Sequence, residues 1–292
     1  MNVTNALTVT PLPQSLGATV HGLDVRGVLS PDTVKALHDA WYRHQVLFFP
    51  QLNLTQEEHI AFGSVFGELS AVSPGKDDYR NLKKIGPKGE IFVLDAAERR
   101  ADVWHSDVSF TRVPPIGSLL SMKVCPDKGG DTMWSNQYAA YDALSPALRS
   151  LVDRLEAEHG KSTTGSSVHP VVLRHAVTGR PSLYVSRGFT ARIVGLTAIE
   201  SEGLLALLFR HCEQPEFQTR WKWHAGDAVL WDNRCTMHYA VNDYGDAARV
   251  IHRVTIYSPG VVSAAAGAQS VSQSVSQSGS QSGSQPGSKR AA

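Results

Sequence analysis

Short, densely apolar runs separated by turns constrain this chain most. Gly17–Val20, Val46–Phe49, Ile91–Leu94, Leu119–Met122, Ser182–Val185, Ala228–Trp231 and Val250–Tyr257 each read as a strand. They do not alternate regularly with helices, which argues against a doubly wound parallel sheet and for a β-sandwich or jelly roll carrying helices. With 42% hydrophobic residues in 292, the chain has enough apolar side chains to bury an ordinary core.

The helices announce themselves by their caps. Ser30-Pro31 is an N-cap followed by proline at the first helical position, and Val34, Leu37 and Trp41 then recur at helical spacing. Thr55 with Glu58, and Thr197 with Glu200, fit the capping box, each ahead of an apolar helical face. Ser145-Pro146 opens another helix, expected to bury Leu148, Leu151, Val152 and Leu155 and to end near His159.

From Ala264 the composition collapses to Ser, Gln, Gly and Val in near-repeats. Such a segment buries too little apolar surface to offset its ordering entropy. The expected organisation is therefore one globular domain, residues 1–262, and a disordered Ser/Gln/Gly-rich tail, residues 263–292. No run of eighteen apolar residues and no charged start leading into an apolar stretch is present, so a soluble, cytoplasmic protein without membrane partners is expected. A net charge of +1, with scattered basic residues, supplies no footprint for nucleic acid. Cys125, Cys212 and Cys235, odd in number and widely spaced, read as reduced packing residues.

The chemistry centres on His105-Ser-Asp107. Trp104 to Phe110 has strand-like composition, and in a strand residues i and i+2 share a face, so His105 and Asp107 would point together into the sandwich. A third ligand must come from a strand adjacent in space. His238, beyond the apolar run ending at Trp231, is the best candidate. Two imidazoles and a carboxylate hold a non-haem Fe(II) on one face and leave the other open for a co-substrate and O2. Downstream, Arg249 and Arg253 can anchor an acid. An isolated His-x-Asp is common by chance, and most of the other histidines are ordinary; the order and number of the elements carry the reading.

Four segments, Trp104-His-Ser-Asp107, Gly129-Gly-Asp-Thr-Met-Trp134, Trp231-Asp-Asn-Arg-Cys-Thr-Met-His238 and Arg249-Val-Ile-His-Arg253, stand in the order found in the taurine dioxygenase family. The chain resembles that family from Leu16 to Pro259. The resemblance implies a double-stranded β-helix, the cupin-like jelly roll: mainly β with flanking helices. It further implies a 2-oxoglutarate-dependent non-haem iron dioxygenase that uses Fe(II), 2-oxoglutarate and O2. By the same resemblance His105, Asp107 and His238 bind iron, Thr132 and Arg249 hold the distal carboxylate of 2-oxoglutarate, Arg253 meets the anionic group of the primary substrate, and Phe189 lines the substrate pocket. Gly129 and Gly130 read as a turn needing free backbone angles and nothing more. Relatives are commonly dimers or tetramers, which implies a homo-oligomer.

The family reaction converts 2-oxoglutarate to succinate and CO2 and hydroxylates a small-molecule substrate; a heteroatom on the hydroxylated carbon then leaves. Asp107 favours hydroxylation over halogenation, since related halogenases lack that carboxylate. Two family residues that read taurine fall on Val72 and Ala101 here, which argues against taurine itself. Gly160 to Ser167 stands where many relatives insert a long lid, implying a more open mouth or closure by a partner subunit. The charged segment from Ser73 to Arg100 reads either as a solvated loop or as a substrate gate. Desaturation, or another oxidative rearrangement in a biosynthetic pathway, remains open beside hydroxylation. A sensor of metal and 2-oxoglutarate would show a broken ligand set, and every ligand is present.

Overall fold

The structure, a computed structural model, describes residues 7–70, 82–97, 102–161 and 165–261. Val72, Ala101 and the 263–292 tail lie outside the described residues, as do parts of the 73–100 and 160–167 segments.

A large sheet forms one wall of the sandwich, in the order Thr8–Pro11, Ala18–His21, Val46–Phe49, Ala228–Asp232, Gly117–Val124, Val250–Tyr257, Ile91–Asp95 and Lys84–Ile85. All these pairings are antiparallel except that of Ala18–His21 with Val46–Phe49. The opposing sheet is shorter: Gln218–Trp221, Thr132–Asn136 and Thr236–Ala240. This is the expected jelly roll.

The central strands read as continuous apolar runs because both of their faces are covered. In Val46–Phe49, Leu47 and Phe49 pack outward with Leu37 and Trp41 of the Pro31–His44 helix. Val46 and Phe48 pack inward with Trp134 and Trp231. All four are buried, and each contributes roughly 1.5–3 kcal/mol by removal from water. The same alternation divides Val250–Tyr257: Val254 and Ile256 face the helices, while Ile251 joins the inner core. Arg253 shares the parity of Ile251 and so points into the sandwich.

Helix boundaries follow from the caps. Ser30 Oγ accepts the Thr33 N–H at 3.1 Å, and the Pro31–His44 helix ends where Gln45 takes φ 67°. Both capping boxes form, ahead of the Gln56–Ser64 and Ala198–Cys212 helices; each cap is worth about 1 kcal/mol. Among the described residues no helix is long and apolar enough to cross a membrane.

Two local expectations fail. The helix opened by Ser145 stops at Val152, and Leu151 is exposed; Glu156–Lys161 is instead a strand between Gly165–Pro170 and Thr190–Ile193. Its burial alternates, with Ala157 and His159 inside and Glu156 and Glu158 outward, a period of two that the short apolar count concealed. Trp104–Phe110 is not a strand either. Only His105 bridges to a neighbour, His238, after which Asp107 enters a turn. Asn233 captures both backbone polar groups of Asp107, so the ladder cannot continue past it.

Candidate active site

The strand-turn-strand unit from Ala228 to Ala240 assembles the centre. His238 exchanges backbone hydrogen bonds with His105 at 2.8 and 3.1 Å. Ser106 Oγ donates to the Thr236 carbonyl. Asn233 completes the grip: its Oδ1 accepts the Asp107 N–H at 2.6 Å, and its Nδ2 donates to the carbonyls of Asp107 and Pro115. This unit, which crosses from the large sheet to the opposing one, thus carries His238 and fixes the backbone of His105 and Asp107.

Beyond Asp107, Val108 adopts φ 55° although it is β-branched and buried. Such a conformation costs on the order of 1–3 kcal/mol and persists only where surroundings enforce it. The turn is held from its far side by His159 Nδ1, 3.0 Å from Ser109 Oγ, and His169 Nε2, 3.0 Å from the Thr111 carbonyl.

The side chains converge. His105 Nε2 and His238 Nε2 lie 3.7 and 3.8 Å from Asp107 Oδ1, and one ligand atom from each of the three residues lies within 4.8 Å of the others. Two donors about 2.1 Å from a shared ion can be separated by up to about 4.2 Å, so a metal fits between the carboxylate and each imidazole. His105 Nδ1 meets the Val103 carbonyl at 2.7 Å. A carbonyl only accepts, so Nδ1 carries the proton and Nε2 presents its lone pair toward Asp107. Burial, with His105 beside it, pushes His238 down to about 3, which leaves it neutral and able to ligate. Burial alone would raise Asp107, but Arg253, the two histidines and the Ser118 hydroxyl outweigh it and hold the carboxyl at about 2.

A pocket opens beside this trio, lined by Thr132, Arg249, Arg253, Leu120, Ile251 and Tyr244 among others. Arg249 is buried, yet among the described residues no carboxylate pairs with it. Its Nε donates to the Gly130 carbonyl at 3.0 Å and an Nη to Thr132 Oγ at 3.3 Å. A buried guanidinium without a counter-ion is costly, and an anion entering the pocket would neutralise it. Gly129 and Gly130 take φ 72° and 73°, as expected of a turn. Gly130 does more than turn the chain, however, since its carbonyl aims Arg249 and a Cβ there would lie 3.2 Å from the arginine side chain.

Arg253 Nη1 lies 3.1 Å from Asp107 Oδ1, and its Nε is buried with no hydrogen-bond partner among the described residues. Asp107 and Arg253 both line the pocket. Phe189 stands edge-on to His105, with centroids 5.9 Å apart, and leans on Phe110. Its loop approaches closely because residue 188 is glycine: a Cβ there would fall 2.8 Å from that of His105. Sequence reasoning missed Gly188, Ser118 and Asn233. Asn233 lay inside a quoted motif, but its partner is 126 residues away and no local pattern reveals the bond.

Asn233→Ala is expected to leave a folded chain whose Mn(II) affinity, measured by calorimetry, falls about 10–100-fold, the usual cost of losing support behind a ligand. Unchanged affinity would show that Asp107 needs no such clamp.

A jelly roll whose interior gathers two imidazoles and a carboxylate able to hold one metal ion, next to a buried arginine with no carboxylate partner among the described residues, is the arrangement of a mononuclear non-haem metal oxygenase. The family model described as "Taurine catabolism dioxygenase TauD, TfdA family" matches residues 8–255. The chain belongs to this family and is a 2-oxoglutarate-dependent non-haem iron oxidoreductase. It is 35% identical over 281 residues to an alkylsulfatase of Acinetobacter baylyi, covering 87% of this chain and 86% of that protein. It is 36% identical over 278 residues to an alpha-ketoglutarate-dependent sulfate ester dioxygenase of Pseudomonas putida, covering 86% and 89%. The solved structure of AAD-2 in complex with Mn(II) and N-oxalylglycine superposes with a TM-score of 0.74 at 29% identity, covering 86% of this chain and 97% of that one.

Proposed function

We propose that this protein hydroxylates a small anionic organic molecule, with sulfate esters the favoured class, while 2-oxoglutarate is oxidised to succinate and CO2. The observation that carries the substrate's charge is Arg253, a buried guanidinium beside the metal-ligand trio whose Nε has no hydrogen-bond partner among the described residues. Similarity to the alkylsulfatase and the sulfate ester dioxygenase supports the ester.

In this reading His105, Asp107 and His238 hold Fe(II), while Arg249 and Thr132 hold the distal carboxylate of 2-oxoglutarate. N-oxalylglycine, present with Mn(II) in the matched structure, has the same skeleton with an N–H in place of one methylene. Bound together, Fe(II) and 2-oxoglutarate would activate O2, the oxidant, with 2-oxoglutarate giving up two electrons and CO2: one oxygen atom would go to succinate and the other would enter a substrate C–H bond as hydroxyl. Arg253 orients the substrate's anion, and Phe189, edge-on to His105, offers its carbon chain an apolar contact next to the ligand trio. If the hydroxylated carbon carries the sulfate oxygen, the C–O bond breaks as the new hydroxyl loses its proton, yielding an aldehyde and sulfate. The same reading gives the catalytic domain residues 1–262, treats 263–292 as an appendage, and places the enzyme in the cytoplasm as a homo-oligomer, on the strength of the family resemblance.

A succinate-release screen over alkyl sulfates, sulfonates and aryloxy acids tests the proposal. Alkyl sulfates are expected to give succinate, aldehyde and sulfate in equal amounts, and Arg253→Ala to lower turnover of anionic members most. Turnover confined to neutral compounds, or equal loss for charged and neutral ones, would remove the anion role. A product that has lost two hydrogens, rather than gained oxygen, would identify desaturation.

A further inference from the structure

Thr132 Oγ receives two hydrogen bonds, from the Trp223 indole Nε1–H at 2.9 Å and from an Arg249 Nη at 3.3 Å. Indole and guanidinium N–H groups can only donate. A hydroxyl oxygen has two lone pairs and one hydrogen, so both acceptor sites of Thr132 are taken and its own proton must be given elsewhere. Thr132 lines the pocket, and among the described residues its hydroxyl has no other protein partner.

We propose that Trp223 is a positioning residue for co-substrate binding: its indole N–H commits the Thr132 hydroxyl to donate into the pocket, toward the distal carboxylate of 2-oxoglutarate. This rests on the reading of Thr132 and Arg249 as the carboxylate subsite. Without the indole bond the hydroxyl is free to rotate and present a lone pair to the incoming anion, so part of the binding free energy is spent on reorienting it. The arrangement is built to stay in place. Trp223 is 3% exposed and packs in the inner core near Trp134, with ring centroids 6.5 Å apart. The Gly130 carbonyl takes the Arg249 Nε–H. The subsite thereby offers only donors to its ligand, the Thr132 hydroxyl and the remaining guanidinium hydrogens, and an ionised carboxylate, which only accepts, is the complementary group.

The test is a double-mutant cycle on the full-length, Mn(II)-loaded protein, read as the dissociation constant of 2-oxoglutarate by calorimetry. Trp223→Phe keeps the apolar ring and removes the N–H; a roughly five- to ten-fold weakening is expected, the size of one hydrogen bond. Mn(II) affinity should stay unchanged. In a Thr132→Val background, where no hydroxyl remains to be oriented, Trp223→Phe should produce no further loss; in Thr132→Ser the loss should persist. An equal loss in the valine background would mean that Trp223 acts through packing, and no loss in the native background would also overturn the proposal. If Thr132→Val alone leaves the affinity unchanged, the carboxylate subsite itself is misassigned and the proposal falls with it. Should Trp223→Phe fail to fold, nuclear magnetic resonance of the indole N–H groups replaces it. One indole proton protected from exchange should shift between native and Thr132→Val proteins and respond to 2-oxoglutarate only in the native one; identical behaviour in both would overturn the assignment.

Discussion

Asp107→Ala is expected to abolish turnover and to remove measurable Fe(II) binding at micromolar concentrations of protein. Asp107 Oδ1 is the point on which the trio converges, since both Nε2 atoms face it at 3.7 and 3.8 Å. Deleting it leaves two neutral imidazoles, which lack the negative charge that offsets a divalent ion in a buried site. The metal-free protein should also suffer. Arg253 is buried and pairs with this carboxylate at 3.1 Å, so the variant strands a guanidinium, at a cost of about 3–5 kcal/mol in unfolding free energy. Calorimetric titration with Mn(II) and urea denaturation together check both effects. Metal affinity within a few-fold of native would show that the carboxylate is not a ligand, and unchanged stability would show that the ion pair contributes nothing. The double variant Asp107→Ala/Arg253→Met should recover stability without recovering metal, since it removes the stranded charge and not the missing ligand.

Arg249→Ala should weaken 2-oxoglutarate binding by about 2–5 kcal/mol, that is, from roughly thirty-fold to several thousand-fold. The range follows from the burial of the guanidinium and from the absence of a carboxylate partner among the described residues. Burial pushes the Arg249 pKa down, though an arginine so placed remains charged. Fe(II) or Mn(II) affinity should be unaffected, which separates this variant from the first. Arg249→Lys is expected to restore only part of the loss. An ammonium has a charge but not the planar fork, and it cannot serve the Gly130 carbonyl, Thr132 Oγ and a carboxylate in one geometry. Co-substrate affinity equal to native in Arg249→Ala would mean that the acid is held elsewhere.

Much of this was legible from residues that act locally. The caps at Ser30, Thr55 and Thr197 lie within three residues of their partners, so the pattern and the bond are one observation. The inward parity of Arg253 follows from a strand's period of two, with Ile251 as reference. Where such reasoning failed, the competing influence was distant. Trp104–Phe110 has strand-like composition but is diverted by Asn233, far along the chain; Glu156–Lys161 follows a helix closely but is drawn into a sheet by Gly165–Pro170 and Thr190–Ile193.

The sequence by itself determined that the chain makes a helix-flanked β-sandwich, because turn residues, periodicity and residue type are local properties of the chain; the grouping of His105, Asp107, His238, Thr132 and Arg249 came from the resemblance of their motifs to a family. Only the tertiary structure decided how those residues are held: the Asn233 clamp, the left-handed Val108, the Gly130 carbonyl on Arg249 and the Trp223 indole on Thr132. A hydrogen bond depends on distance and direction in space to within tenths of an ångström, and chain order carries neither for groups a hundred residues apart.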